Sequence, residues 1–82
     1  MSEIADIVSV LVELLRPFNP ENKSLTAATD IPAELNIDSV GVLDFIMEVE
    51  DKYDIEIPMN AVASIRTIGE LADYVSKKLN KA

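Results

Sequence analysis

Asp38-Ser39-Val40-Gly41-Val42-Leu43-Asp44-Phe45-Ile46-Met47-Glu48-Val49-Glu50-Asp51-Lys52-Tyr53-Asp54 is the stretch whose periodicity decides the fold. At about 100° per residue, Val42, Phe45, Ile46, Val49 and Tyr53 fall within an arc of roughly 100°, the width of an ordinary core-facing stripe. A helix from Ser39 to about Tyr53 follows, with Asp38 as its N-cap. Val40, Leu43 and Met47 gather on the far side, roughly 100° to 160° away on the same wheel. Asp44, Glu48 and Asp51 lie just beyond them, with Glu50 and Asp54 alongside. The helix therefore has one apolar face for a core and a second, exposed apolar strip rimmed with acid.

Towards the N-terminus, Ile4, Ile7, Val8, Leu11, Leu14 and Leu15 repeat with helical spacing and predict a helix over Ser2 to Arg16. Ser2 is placed to cap it, Glu3 and Asp6 suit its positive end, and Pro17 stops it. Between the two helices runs a long connection, Phe18 to Ile37, with Pro20 and Pro32 and no sustained period. Phe18, Leu25, Ile31, Leu35 and Ile37 are spaced along it like pins into a core, so it is expected to be ordered. Such a connection also frees the helices it joins from being simple antiparallel neighbours.

Towards the C-terminus, Ile55-Glu56-Ile57-Pro58 is extended in character, because a residue before proline avoids the helical region. Asn60 is expected to cap a short helix, Ala61 to about Arg66. Thr67-Ile68-Gly69-Glu70 has the pattern of a capping box. It opens a last helix, Ile68 to about Leu79, that offers Ile68, Leu71, Ala72, Val75 and Leu79 to the core and ends on Lys77 and Lys78. The expectation is a single all-α domain over residues 1–82: a four-helix bundle of three main helices and a short third one, with a long loop between the first and second.

Composition narrows the chemistry. Aromatic residues make up only 5% of the chain, so the core must be aliphatic. Cysteine and histidine are both absent, which removes disulfides, thiolate or imidazole metal ligands, and any Ser-His or Cys-His catalytic pair. The net charge of −8 repels phosphate backbones and anionic membranes and favours basic protein surfaces. No secretory or membrane-spanning segment is visible, so a cytoplasmic protein is expected, with no nucleic-acid partner and no membrane insertion. The charge is uneven. Asp38 to Glu56 holds seven acids and one base, whereas the rest of the chain is near balance. On charge alone that is a solvated helix face. The apolar strip beside it turns the balance towards a docking surface for a basic partner, with Met47 suited to several partner surfaces.

The acids do not form a calcium loop, since D-x-[DN]-x-[DN]-G with a distal Glu is absent and acids on a regular helix cannot converge on one ion. A pair such as Glu48 and Asp51 would be solvated and makes no acid–base couple. No catalytic residue and no metal ligand is therefore expected. Ser39 stands apart by position, at the start of the acidic helix. Asp-Ser read alone is an ordinary helix start. It is also a place where a helix N-terminus favours a phosphate on the serine oxygen. With no histidine as a resident base, Ser39 would be the substrate of another enzyme and not a nucleophile in its own right.

Leu35-Asn36-Ile37-Asp38-Ser39-Val40 resembles the Leu-Gly-x-Asp-Ser-Leu signature of acyl carrier proteins, and Leu43 to Pro58 resembles that family's second helix and its exit. Length, helix order, long first loop, acidity and capped last helix fit as well, so the bundle is expected to be of acyl-carrier type. The resemblance implies that Asp38 and Ser39 form the attachment site, Ser39 being esterified with 4′-phosphopantetheine drawn from coenzyme A by a phosphopantetheinyl transferase. The arm's thiol would hold acyl groups as thioesters, for fatty-acid or specialised lipid or polyketide biosynthesis. Val40, Asp44, Met47, Glu48, Glu50 and Asp51 would face acyl-loading, synthase and acyltransferase enzymes with basic docking patches, the carrier acting as a monomer. An aminoacyl or peptidyl carrier, or an unmodified acidic helical adaptor, are the alternatives. The sequence departs from the family in Asn36 for Gly, Val40 for Leu, and Gly41 for the acid usual two residues after the serine. The region Met59 to Ile65 also lacks the family's acids, so basic partners would grip mainly the second helix.

Overall fold

The computed structural model describes residues 4–80 and contains five α-helices: α1 (Ile4–Leu14), α2 (Ile31–Leu35), α3 (Ser39–Tyr53), α4 (Met59–Ser64) and α5 (Ile68–Leu79), with a 3₁₀ turn at Arg16–Phe18 after α1. The expected cap at Ser2 and its neighbour Glu3 lie outside the described residues. Helices α1, α3 and α5 build the core. Ile7 and Leu11 from the first, with Leu15 just beyond its end, meet Phe45, Ile46 and Val49 from the second and Ile68, Leu71, Ala72 and Val75 from the third. Each such Val, Leu, Ile or Phe side chain, fully withdrawn from water, contributes about 1.5–3 kcal/mol. Val42 and Tyr53, expected on the same stripe, are half-buried at its edges.

Helix α1 ends at Leu14, two residues short of the sequence expectation. The Leu15 N–H is shared between the Leu11 and Val12 carbonyls, and the chain tightens into the 3₁₀ turn that takes up Pro17. Tightening of this kind at a helix end satisfies carbonyls that proline cannot serve.

The long connection is ordered, as its apolar pins require, but it is not free of helix. Asp30 Oδ1 accepts the Ala33 N–H at 3.1 Å and caps α2, Pro32 occupies its first turn, and Asn36 closes it in the left-handed region (φ 52°). Proline there starts a helix instead of breaking one. The connection is sewn to the α4–α5 junction by three backbone hydrogen bonds: Ile31 N–H to Arg66 O (2.8 Å), Ile68 N–H to Thr29 O (3.1 Å) and Gly69 N–H to Ala27 O (2.8 Å). Gly69 is required by that approach, since a Cβ there would stand 2.9 Å from the Ala27 carbonyl oxygen.

Helix α4 starts at Met59, directly after Pro58, with no side-chain cap; Asn60 lies inside it and does not cap it. Helix α5 begins where expected, and both halves of its capping box are made. Thr67 Oγ1 accepts the Glu70 N–H at 3.0 Å, and Glu70 Oε1 accepts the N–H groups of Thr67 (2.9 Å) and Arg66 (2.8 Å). Those donors hold the Glu70 carboxyl below its ordinary value, the Thr67 N–H contributing most. Among the described residues no helix is long and apolar enough to cross a membrane.

Candidate functional site

Asp38 is extended (φ −78°, ψ 177°), and its Oδ1 accepts the Gly41 N–H at 2.8 Å. This is N-capping as the sequence predicts, and it commits the carboxylate to the backbone of α3. Ser39 is then the first residue of α3 and is exposed. It borders a cavity of about 350 Å³ between α3 and α4. Ile31, Phe45 and Leu71 contribute to the lining from the core side, and Leu43, Met59 and Val62 from the outer helices. Among the described residues that line it, only Arg66 carries a charge.

Gly41 has a steric reason. A Cβ there would collide with Ile37 Cγ2, on a β-branched side chain with little rotamer freedom to move away. The absence of a side chain two residues after Ser39 and the presence of Ile37 two residues before it are one packing solution.

The expected partner-facing residues divide. Val40 and Met47 are exposed, at 64% and 61%. Leu43 is half-buried and turned to the cavity. Asp44, Met47, Glu48 and Asp51 border a second groove, of about 460 Å³, that α3 forms with the end of α1 and the 3₁₀ turn; Phe18 adds an apolar side chain to it and Glu13 a further acid. Glu50 is not brought together with them. It is half-buried, and its Oε2 accepts the Ile57 N–H at 2.8 Å, which braces the exit from α3. Sequence reasoning missed Met59, 65% exposed at the cavity edge, because α4 was expected to begin later. It also missed Arg66, whose place on the cavity is a tertiary fact with no local signal.

The domain thus presents an exposed serine at the start of an acidic helix, beside an apolar cavity. The model of the family described as the phosphopantetheine attachment site matches residues 4–75, and the chain belongs to the acyl carrier protein family. It is 31% identical over 80 residues to the acyl carrier protein of Amoebophilus asiaticus, a match covering 96% of each chain. It is 31% identical over 58 residues to the mitochondrial acyl carrier protein of Saccharomyces cerevisiae, covering 71% of this chain and 46% of that protein. The aligned part is thus less than half of the yeast protein's length. A solved structure of a Toxoplasma mitochondrial acyl carrier protein superposes with a TM-score of 0.85, covering 98% of this chain and 94% of that one at 21% identity. That likeness shows the fold.

Members of the family are carriers and not catalysts, in keeping with the sequence reading, and their prosthetic group is 4′-phosphopantetheine. The residues at the head of α3 fit it. Ser39 is exposed at the start of α3, where helix geometry favours a phosphate, and an apolar cavity opens beside it.

Proposed function

We propose that Ser39 carries a 4′-phosphopantetheine arm on which the protein holds acyl intermediates and delivers them to partner enzymes of fatty-acid or specialised lipid or polyketide biosynthesis. The observation that carries this reading is the exposure of Ser39 at the first position of α3, on the rim of the apolar cavity. When bound, the group supplies a thiol for thioester formation. In attachment, Ser39 Oγ forms a bond to the phosphorus next to the pantetheine of coenzyme A. The pyrophosphate bond breaks, the nucleotide leaves as adenosine 3′,5′-bisphosphate, and the serine proton passes to a base of the transferase.

The chain's own contribution is position. Asp38 holds the start of α3 through Gly41, so the serine is presented from a rigid terminus and not from a loop. Val40 and Met47 offer apolar contact to a partner, and Asp44, Glu48 and Asp51 offer charge to its basic side chains. Glu50 serves this surface indirectly, by fixing the end of the helix that bears it. In this reading the carrier works as a monomer in the cytoplasm.

Intact mass tests the attachment. Incubation with coenzyme A, magnesium and a broad-specificity phosphopantetheinyl transferase should add one phosphopantetheine to the wild type and none to Ser39→Ala. A folded wild-type chain that gains no mass would favour an unmodified adaptor.

A further inference from the structure

Among the described residues Arg66 is the one charge on the cavity wall, and its surroundings leave it neither free nor spent. Its backbone is held on both sides, the N–H by Glu70 Oε1 at 2.8 Å and the carbonyl by the Ile31 N–H at 2.8 Å. Its Nε donates to Asp30 Oδ2 at 3.0 Å, while Asp30 Oδ1 is engaged by the Ala33 N–H. A guanidinium offers five N–H donors in a fixed fork, so a contact through Nε leaves the Nη groups to point elsewhere. The side chain is 64% exposed, which places it at the rim, on the same cavity that Ser39 borders.

Asp30 also sets the kind of group this cation can receive. The pair is neutral as a unit, and the chain carries a net charge of −8, so a full carboxylate gains little attraction at this rim. Directional donors beside apolar walls suit instead a neutral oxygen acceptor on a chain that is otherwise hydrocarbon.

Resting on the reading of Ser39 as the loaded residue, we propose that Arg66 is a specificity residue of the cavity, donating to a keto or hydroxyl oxygen of an oxygenated acyl cargo. Saturated chains fill the same space without that contact.

The experiment loads the full-length protein with octanoyl-, 3-oxooctanoyl- or carboxyl-terminated octanoyl-phosphopantetheine from the matching coenzyme A thioesters, and intact mass confirms each product. A chain that takes up no arm defeats the loading reading and is thereby distinguished from a failure of this proposal. Thermal melts of the loaded forms then read the contact. The 3-oxo cargo should raise Tm by about 4–8 °C more than octanoyl, as one net hydrogen bond does in a domain of this size, and the carboxyl-terminated cargo should not match it. Arg66→Met, which has no donor, should remove the difference between 3-oxooctanoyl and octanoyl. Asp30→Asn keeps the guanidinium and the acceptor that caps α2, and should keep the difference. Equal Tm values for the two cargoes in the wild type, or a difference that survives Arg66→Met, would overturn the proposal. So would an Arg66 Nε–H NMR resonance that shifts as far with the unloaded arm as with the 3-oxo cargo, since the guanidinium would then be serving the phosphodiester.

Discussion

Helices α4 and α5 are neighbours in sequence, separated by three residues, and are held by opposite means. Helix α5 has both halves of a capping box and buries five residues, Ile68, Leu71, Ala72, Val75 and Ser76. Helix α4 has six residues, no side-chain cap and none fully buried. Isolated turns of that length are far from stable in water, so α4 exists by leaning on its surroundings. Both border the cavity next to Ser39, α5 through Leu71 and α4 through Met59, Val62 and Ala63. One wall is anchored by a capping box and buried side chains, and the other is held by neither.

Truncation should separate the two walls most sharply. Ile68→Ala, in α5, removes a side chain with no exposure and is expected to destabilise by about 2–5 kcal/mol. Val62→Ala, in α4, should lose below about 1 kcal/mol, since the side chain is only half-buried. Urea melts of the two variants check the contrast, and equal losses would break it.

Gly41→Ala extends the comparison to the head of α3. It should destabilise by about 1–2 kcal/mol through the clash with Ile37. In an Ile37→Ala background the same change should become stabilising by up to about 1 kcal/mol, because alanine is the better helix former. A double-mutant cycle measures that reversal.

Thr67→Ala removes the cap of α5 and is expected to lose about 1 kcal/mol, whereas Asn60→Ala, at the start of α4, should fall within about 0.5 kcal/mol of neutral. Hydrogen exchange should rank the helices in the same order, with α4 amides exchanging before those of α5.

The smallest effect is an acid-side pH dependence from the caps of α2 and α5. Backbone donors lower the Asp30 and Glu70 carboxyls, the Ala33 N–H being the main cause for Asp30, with Arg66 assisting at both. Carboxyls held low in the folded state stabilise it above their unfolded values, 3.8 and 4.5, and that contribution is lost as pH falls further, through the folded values. Replacing Glu70 with Gln should flatten the acid end of a Tm-against-pH curve below about pH 4.5.

What was legible in the sequence follows the same division. Helices α3 and α5 declare themselves by a sustained 3.6-residue period and by caps whose partners lie three residues away: Asp38 with Gly41, Thr67 with Glu70. Ser39 stands out in the sequence because its position relative to those signals is local. Helix α2 is five residues long, too short for a period to show, although its Asp30 cap, Pro32 and left-handed Asn36 were all present to be read. The start of α4 was misplaced because Pro58 ends the extended segment without supplying a side-chain cap. Glu50 looked like one more surface acid, and only the turn after α3 brings Ile57 back to its carboxylate. Arg66 and Ile31 meet the cavity from segments distant in sequence, which no periodicity reports.

The seam between the long connection and the α4–α5 junction also bears on how the chain reaches this state. Its three backbone bonds join residues about forty positions apart, and each needs the intervening chain to be closed into a loop before it yields anything. Closure on that scale carries an entropic penalty that local helix contacts avoid, and contacts of this range slow folding. Helical turns can form early, but Ile31 reaches its place beneath the cavity only when the seam closes. The cavity is therefore expected to be completed late in folding, after the helical turns have appeared.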